Sequence, residues 1–327
     1  MENEIKENEL EKVEEASPVE EVNSEPEEIS YSSQYLQNIE DARQKFLKIY
    51  KTQNTLKWIV SAVSIVMIIF GFIFFPNMVP GTGGMAGMIA IGVAAIALTL
   101  TYSIITRRNM DKRMKAYFAL YYDCVNHFVF EGEDFTNMNS QFPGKIQDEA
   151  FTDNCMFKDV SNVGSRGLTE LEYKGTPIAV CDAAAQTMVD RRAKPVFVGK
   201  YLYAAANYDF DEPIYIYLKG DERALPPTNL DEVNVVSEDD KMIVRSSNKD
   251  WKKVISPEVK KLLGKVKMNK YLVDLSISLQ RGRVFVCMGY DDPLMILPLQ
   301  NKFDAKPNEQ FKKDVYNILD LIKEFNK

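Results

Sequence analysis

The sequence predicts an α+β protein. It reads as a two-helix transmembrane hairpin with a helical juxtamembrane stalk, followed by a cytoplasmic domain of mostly antiparallel strands with C-terminal helices. Three observations carry this reading. Two apolar runs, Trp58–Phe75 and Met85–Ile105, hold no Asp, Glu, Lys or Arg and are joined by the uncharged turn Pro76–Gly84. Each has about the 18–20 residues that a helix needs to cross a hydrocarbon core roughly 30 Å thick. Apolar residues at alternating spacings of three and four flank both runs, and after Phe130 the pattern changes to short β-branched and aromatic stretches broken by turn residues.

Taken in order, residues 1–30 form an acidic tail. Met1–Ser30 carries twelve Glu against two Lys, two prolines and no aromatic residue. Such a segment buries too little apolar surface to offset its ordering entropy and is expected to be disordered. With −10 on this tail and −7 on the whole chain, the remainder carries +3. The first apolar run starts only at residue 58, so no cleavable signal is expected.

Residues 31–57 read as a juxtamembrane helix, with Ile39, Ala42, Phe46, Ile49 and Leu56 on one face. Spans follow at 58–76 and 85–106, with an extracytoplasmic turn at 77–84. A stripe of small residues, Gly83, Gly87, Ala90, Ala94, Ala97 and Thr101, runs along the second span. Membrane helices gain little from the hydrophobic effect against one another, so small residues mark close packing. The first span is the expected partner of the stripe, and a second copy of the chain is the alternative.

Residues 107–129 continue the second helix, with Met110, Met114, Tyr117, Tyr121, Cys124 and Phe128 at coiled-coil spacing. This segment and 31–57 are expected to pair antiparallel as a stalk; the alternative is two helices lying on the bilayer surface. Lys48, Lys51 and Lys57 precede the first span, and Arg107, Arg108, Lys112, Arg113 and Lys115 follow the second, while the turn between the spans has no charge. The positive-inside rule puts both termini in the cytoplasm of a multi-pass plasma-membrane protein. The same cations are expected to touch an anionic inner leaflet.

Residues 130–327 form the α+β domain. Strands are expected at Leu168–Tyr173, Pro177–Cys181, Pro195–Tyr208, Pro213–Leu218, Asp231–Val236, Lys241–Ser246, Tyr271–Leu279 and Arg283–Met288. Hairpin turns fall at Gly175 and at Gln280–Gly282, and the stretch 137–144 is rich in turn residues. Ser256-Pro257-Glu258 opens a helix through about Lys267, with Ser as the cap and Pro in the first turn. A final amphipathic helix follows Lys306, with Phe311, Val315, Ile318, Leu319 and Ile322 on one face.

This order of features resembles the uncharacterised bacterial family DUF3137. The residues that carry the resemblance are Leu168–Ala179, Val196–Tyr203, Val244–Ser247 followed by Ile255–Pro257, and the hairpin Val273–Val286. Asn248–Trp251 departs from the acidic residues expected after the Val244 strand. The resemblance spans roughly Phe130–Phe325 and implies a location and a fold; the family supplies no activity or catalytic residues to carry over.

The chemistry-bearing residues are few. A single histidine, His127, excludes a multi-histidine metal site or a histidine-based triad within one chain. The four cysteines, 124, 155, 181 and 287, show no metal-ligand spacing and read as buried apolar residues in a reducing setting. Gly81–Gly84 lies in a membrane turn and is no phosphate loop. Asp239-Asp240, Asp291-Asp292 and Asp209/Asp211/Glu212 sit at turn-like positions, where carboxylates are ordinarily solvated. Arg191, Arg192 and Lys194 form a basic cluster between two strands, either solvated or in contact with an anionic leaflet or an acidic partner. The weakly basic domain has no nucleic-acid recognition motif.

The expectation is a non-catalytic interaction or scaffold module tethered to the membrane, with no cofactor, whose partners are the bilayer and another protein or a second copy. The alternative is a membrane-proximal enzyme using carboxylates, with or without Mg²⁺. A transport component ranks last, because the spans hold no ionisable residue.

Overall fold

The computed structural model describes residues 32–78, 81–207, 212–220, 222–230, 233–290, 299 and 301–327. The acidic tail 1–30, Tyr208, and the turn acids Asp209, Asp211, Asp291 and Asp292 lie outside the described residues.

Two unbroken helices come first, α1 (Gln34–Met78) of 45 residues and α2 (Thr82–Val129) of 48. They run about 68 and 72 Å at roughly 1.5 Å per residue. Neither stops where its apolar run ends, because no Pro or Gly intervenes between the span and the stalk. The α2 helix closes at Phe130, whose amide reaches the Asn126 carbonyl at 2.8 Å. Gly132, at φ 128°, then turns the chain into the sheet.

Nine strands form one antiparallel sheet: β1 (Phe135–Ser140), β2 (Val160–Tyr173), β3 (Thr176–Val189), β4 (Arg192–Ala205), β5 (Ile214–Leu218), β6 (Val235–Glu238), β7 (Met242–Ser246), β8 (Leu272–Gln280) and β9 (Arg283–Tyr290). Their order across the sheet is β1-β2-β3-β4-β9-β8-β5-β7-β6. The short helices α3 (Asp148–Thr152), α4 (Trp251–Val254) and α5 (Pro257–Leu263) and the long α6 (Lys306–Phe325) complete the described chain. Ser256 caps α5 by accepting from the Val259 amide.

Side-chain alternation gives each face of the sheet its own cover. On one face, Ala179, Cys181, Ala183, Phe197, Tyr201, Phe285 and Cys287 pack with Phe151, Met156 and Phe157. The alanines of β3 leave the room that those phenylalanines fill. On the other face lies α6, with Phe311 edge-on to Tyr290 and beneath the Lys200 ammonium. Covered on both sides, β8 buries all nine of its residues.

The α+β expectation and both hairpin turns match the structure. Four details differ. Residues 135–140 form an edge strand in place of turns, because Asn137 takes a left-handed conformation and absorbs the irregularity within the β1–β2 pairing. β2 and β3 run to 14 residues, since their distal halves, rich in Ser, Gly, Ala and Gln, carry little β propensity yet pair with each other. The strand expected at 231–236 is β6, further along, and α5 stops at Leu263 because Gly264 caps it.

Candidate functional site

The two long helices pack antiparallel in one continuous register. Tyr35 stacks on His127 and Phe46 on Tyr117, with ring centroids 5.5 and 5.7 Å apart. Farther along, Thr99 Oγ1 donates to Ser64 Oγ at 2.8 Å. Gly71 faces Ile91 so closely that a Cβ there would meet the Ile91 side chain at 3.2 Å. The stalk positions read from the sequence are the ones that pack: Ile39 and Phe46 on α1, and Tyr117, Tyr121, Cys124 and Phe128 on α2, are all buried. Ala42, Ile49, Met110 and Met114 are half-buried, and Leu56 is exposed.

The small-residue stripe is placed differently from the sequence expectation. Gly83, Ala90, Ala94, Ala97 and Thr101 are exposed on the side of α2 away from α1, and Gly87 is half-buried. The face against α1 is one residue on, through Gly84, Met88, Ile91, Ala95 and Thr99. Small residues occur on both faces of this alanine- and glycine-rich helix, and the Ser64–Thr99 hydroxyl bond and the notch at Gly71 select between them.

Over the central stretch the hairpin turns large apolar side chains outward. Trp58 is 72% exposed, Val66 64% and Met85 62%. Among the described residues, these two helices are long and apolar enough to cross a membrane. In the observed register, Lys48, Lys51 and Lys57 on α1 fall level with Lys115, Lys112 and Arg107 on α2, and all of them, with Arg108 and Arg113, are exposed. The cations form a collar immediately beyond the apolar belt.

Beyond the collar the hairpin is clamped to the sheet. On α1, the Arg43 guanidinium donates from Nε and Nη2 to the Glu40 carboxylate at 2.7 and 2.6 Å. Glu40 also accepts from the Phe303 amide at 3.0 Å, and Arg43 Nη1 reaches the Leu299 carbonyl. Burial pushes the Glu40 carboxyl up, but the Arg43, Phe303 and Gln44 hydrogen bonds outweigh it and hold the group below the ordinary carboxylate range.

On α2, Tyr122 donates to Asp182 Oδ2 at 2.7 Å, and Asp182 Oδ1 lies 2.5 Å from Lys200 Nζ. Burial, and then the adjacent Asp182 carboxylate, push the Tyr122 hydroxyl far above its usual pKa, so it remains a donor. Gly167 makes the fit: a Cβ there would fall 2.2 Å from the Tyr122 ring. One turn on, Asn126 donates to Thr169 Oγ1 and Ser140 Oγ. Asp182, Lys200, Tyr122, Glu40 and Arg43 were not legible as a unit in the sequence. A charged pair facing across β3 and β4 was the one available signal, and it needs the strand register to be seen.

The remaining sequence candidates separate. Arg191 and Arg192 stand at the exposed turn between β3 and β4. Asp239 Oδ1 accepts from the Lys241 and Met242 amides and shapes the β6–β7 turn. His127 is exposed, 3.6 Å from Asp123. Burial raises the thiols of Cys124 and Cys181, to about 11 and about 12. Among the described residues no three His, Cys, Asp or Glu side chains gather as metal ligands. An open groove of about 420 Å³ crosses the far end of the sheet, lined by Glu170, Tyr203 and Arg283 among others.

No family model matches the chain, and no curated protein matches it. Among solved structures, it is similar to the crystal structure of the mycobacterial trehalose monomycolate transport factor A, TtfA, at 8% identity and a TM-score of 0.34, over 61% of this chain and 93% of that one. A likeness that remote assigns no role to this chain.

Proposed function

We propose that the chain is a membrane-anchored interaction module of the bacterial plasma membrane, of the kind its resemblance to DUF3137 implies. In this reading α1 and α2 cross the bilayer as a hairpin, both termini are cytoplasmic, and the basic collar rests on anionic headgroups. The sheet domain is held at a fixed distance from the membrane to bind a protein partner or a second copy of the chain.

The observation that carries the proposal is the sequence of layers along one rigid hairpin. An outward-facing apolar belt is followed by a band of cations about 13 Å deep, and then by a buried polar clamp to the sheet. Exposed apolar surface of that extent marks a membrane or protein contact, and two charge-free helices of spanning length favour the membrane. Each collar cation would add roughly 1 kcal/mol beside an anionic leaflet.

The test is fractionation and topology. The full chain should stay in membranes through alkaline carbonate extraction. Protease should reach the sheet domain in inverted vesicles and not in intact spheroplasts. Release by carbonate, or cleavage of the domain from outside, would overturn the reading. Repeated purification from native membranes without a bound protein or second copy would remove the interaction role while leaving the anchor standing.

A further inference from the structure

Three tight hairpins of the sheet have the same backbone but not the same residues. Lys174-Gly175, Asp190-Arg191 and Arg281-Gly282 each place both turn residues at positive φ. That geometry favours glycine at the second position. Two of the turns have it, and the β3–β4 turn has Arg191 instead, at φ 62°. A bulky residue in the left-handed region is a local cost that points to a use for its side chain.

The direction of this turn is set by the clamp. Passing up α2 toward its apolar span, Asn126 meets Thr169, Tyr122 packs on Gly167 beside Asp182, and Phe118 lies 5.9 Å from the Arg166 guanidinium. Each step toward the belt is therefore a step along β2 toward Val160, which pairs with Thr187 near the β3–β4 turn. From Arg166 to Val160 the strand advances about 20 Å. From Phe118 to Ile105 the helix advances the same distance, about 20 Å. Continued along the line those contacts set, Val160 and its partner Thr187 come to the level where the apolar belt ends and Arg107 and Arg108 begin, and the tip, three residues on, extends up to about 10 Å past it. Among the described residues, β4 pairs with β9 only from Gly199 onward, and the distal parts of β2, β3 and β4 pair with one another.

What the arm carries there is apolar and basic. Met188 is 55% exposed and Val189 47%, the two exposed large apolar residues of the arm. Arg191, Arg192 and Lys194 surround them, with Asp190 as the one acid in the turn.

We propose that the tip of the β3–β4 hairpin is a second membrane contact: Met188 and Val189 seat at the acyl-chain boundary of an anionic bilayer while Arg191, Arg192 and Lys194 take headgroup phosphates. The contact rests on the hairpin being the membrane anchor. It gives the domain a second attachment beside the helices, which fixes its rotation about the stalk as well as its height. Charge complementarity and the shared level with the belt and collar name lipid as the occupant.

The test uses the full chain reconstituted in vesicles of phosphatidylcholine with phosphatidylglycerol. A Met188→Cys variant in a Cys155→Ser background carries an environment-sensitive fluorophore, and the acyl chains carry bromine. The label should shift to the blue and be quenched. The same label at Lys249→Cys, beyond the opposite end of the sheet, should be neither. Replacing Arg191 and Arg192 by Ala, or omitting phosphatidylglycerol, should weaken the contact equilibrium about fivefold per arginine lost. Arg191→Gly should weaken it similarly while raising or preserving the melting temperature, because glycine suits the turn; this separates lost contact from lost fold.

A label at 188 as wet as at 249 would overturn the proposal. So would a blue-shifted label that bromine does not quench, since that tip would be buried against protein. Quenching unchanged by the arginine variants would do the same. In each of these cases, a protein that still resists carbonate would leave the anchor reading intact.

Discussion

The hairpin and the sheet bury their apolar residues in opposite ways. In β8 every residue is enclosed, whereas in the central part of α1 and α2 the largest apolar side chains point outward and the interior is lined by Ser64, Gly71, Ala95 and Thr99. The sheet supplies its own apolar solvent. The hairpin leaves its apolar surface facing outward, and its helices meet through close fit and a hydroxyl bond. The same substitution chemistry should therefore have different consequences in the two regions, and that difference can be measured.

The largest effect is expected at the clamp. Asp182→Ala would leave the buried Lys200 ammonium without its partner and Tyr122 without its acceptor. Removing one member of a buried pair costs about 3–5 kcal/mol. Chemical denaturation in detergent should show that loss. An apolar double replacement, Asp182→Leu with Lys200→Met, should recover most of it. A charge introduced in the belt tests the other region. Val66→Lys is expected to cost about 2.5–3.5 kcal/mol of insertion if the belt is in lipid. On a watery surface it would cost within about 0.5 kcal/mol. The membrane-integrated fraction in a translocation assay reads the difference, and an unchanged fraction would break the comparison.

Titration marks the sheet domain separately. Asp314 on α6 is buried, accepts from Gln310 and Tyr290, and has its carboxyl raised to about 6, chiefly by burial. The folded pKa lies above the unfolded one, so between about 4 and 6 the native state keeps a proton that the unfolded chain has lost. Stability then falls as pH rises through that window, and the cost is fully present at neutral pH. Asp314→Asn should flatten the profile and stabilise the domain by on the order of 2 kcal/mol at pH 7. A profile unchanged by the substitution would remove Asp314 as its source.

What was legible in the sequence follows the same division. The two apolar runs, the stalk seam from Met110 to Phe128 and the hairpin around Arg281-Gly282 were readable because period and turn chemistry are local signals. The distal halves of β2 and β3 were not, since strands of Ser, Gly and Ala are held by neighbours distant in sequence. The clamp was hidden for a related reason: Glu40 meets Phe303 and Tyr122 meets Asp182 only after the chain has folded back. The stripe on α2 was visible, but composition alone could not choose between adjacent faces one residue apart.

That choice of face gives the smallest and sharpest test. Gly71 meets Ile91 across the hairpin, where an added Cβ is already tight at 3.2 Å, while Ala94 is exposed on the other side of α2. Gly71→Leu forces the helices apart, and overpacking of this kind typically costs about 1–3 kcal/mol. Ala94→Leu adds the same bulk on the outer side of α2 and should leave the hairpin unchanged. Crosslinking between cysteines placed at 64 and 99, with Cys155 replaced by Ser, reads helix proximity directly. It should fall in Gly71→Leu and persist in Ala94→Leu. The reverse result would put the Gly83–Ala97 stripe against α1 and shift the register by one residue. If Ala94→Leu instead kept the crosslink but abolished copurification of two differently tagged copies, the exposed stripe would be the surface on which two hairpins meet.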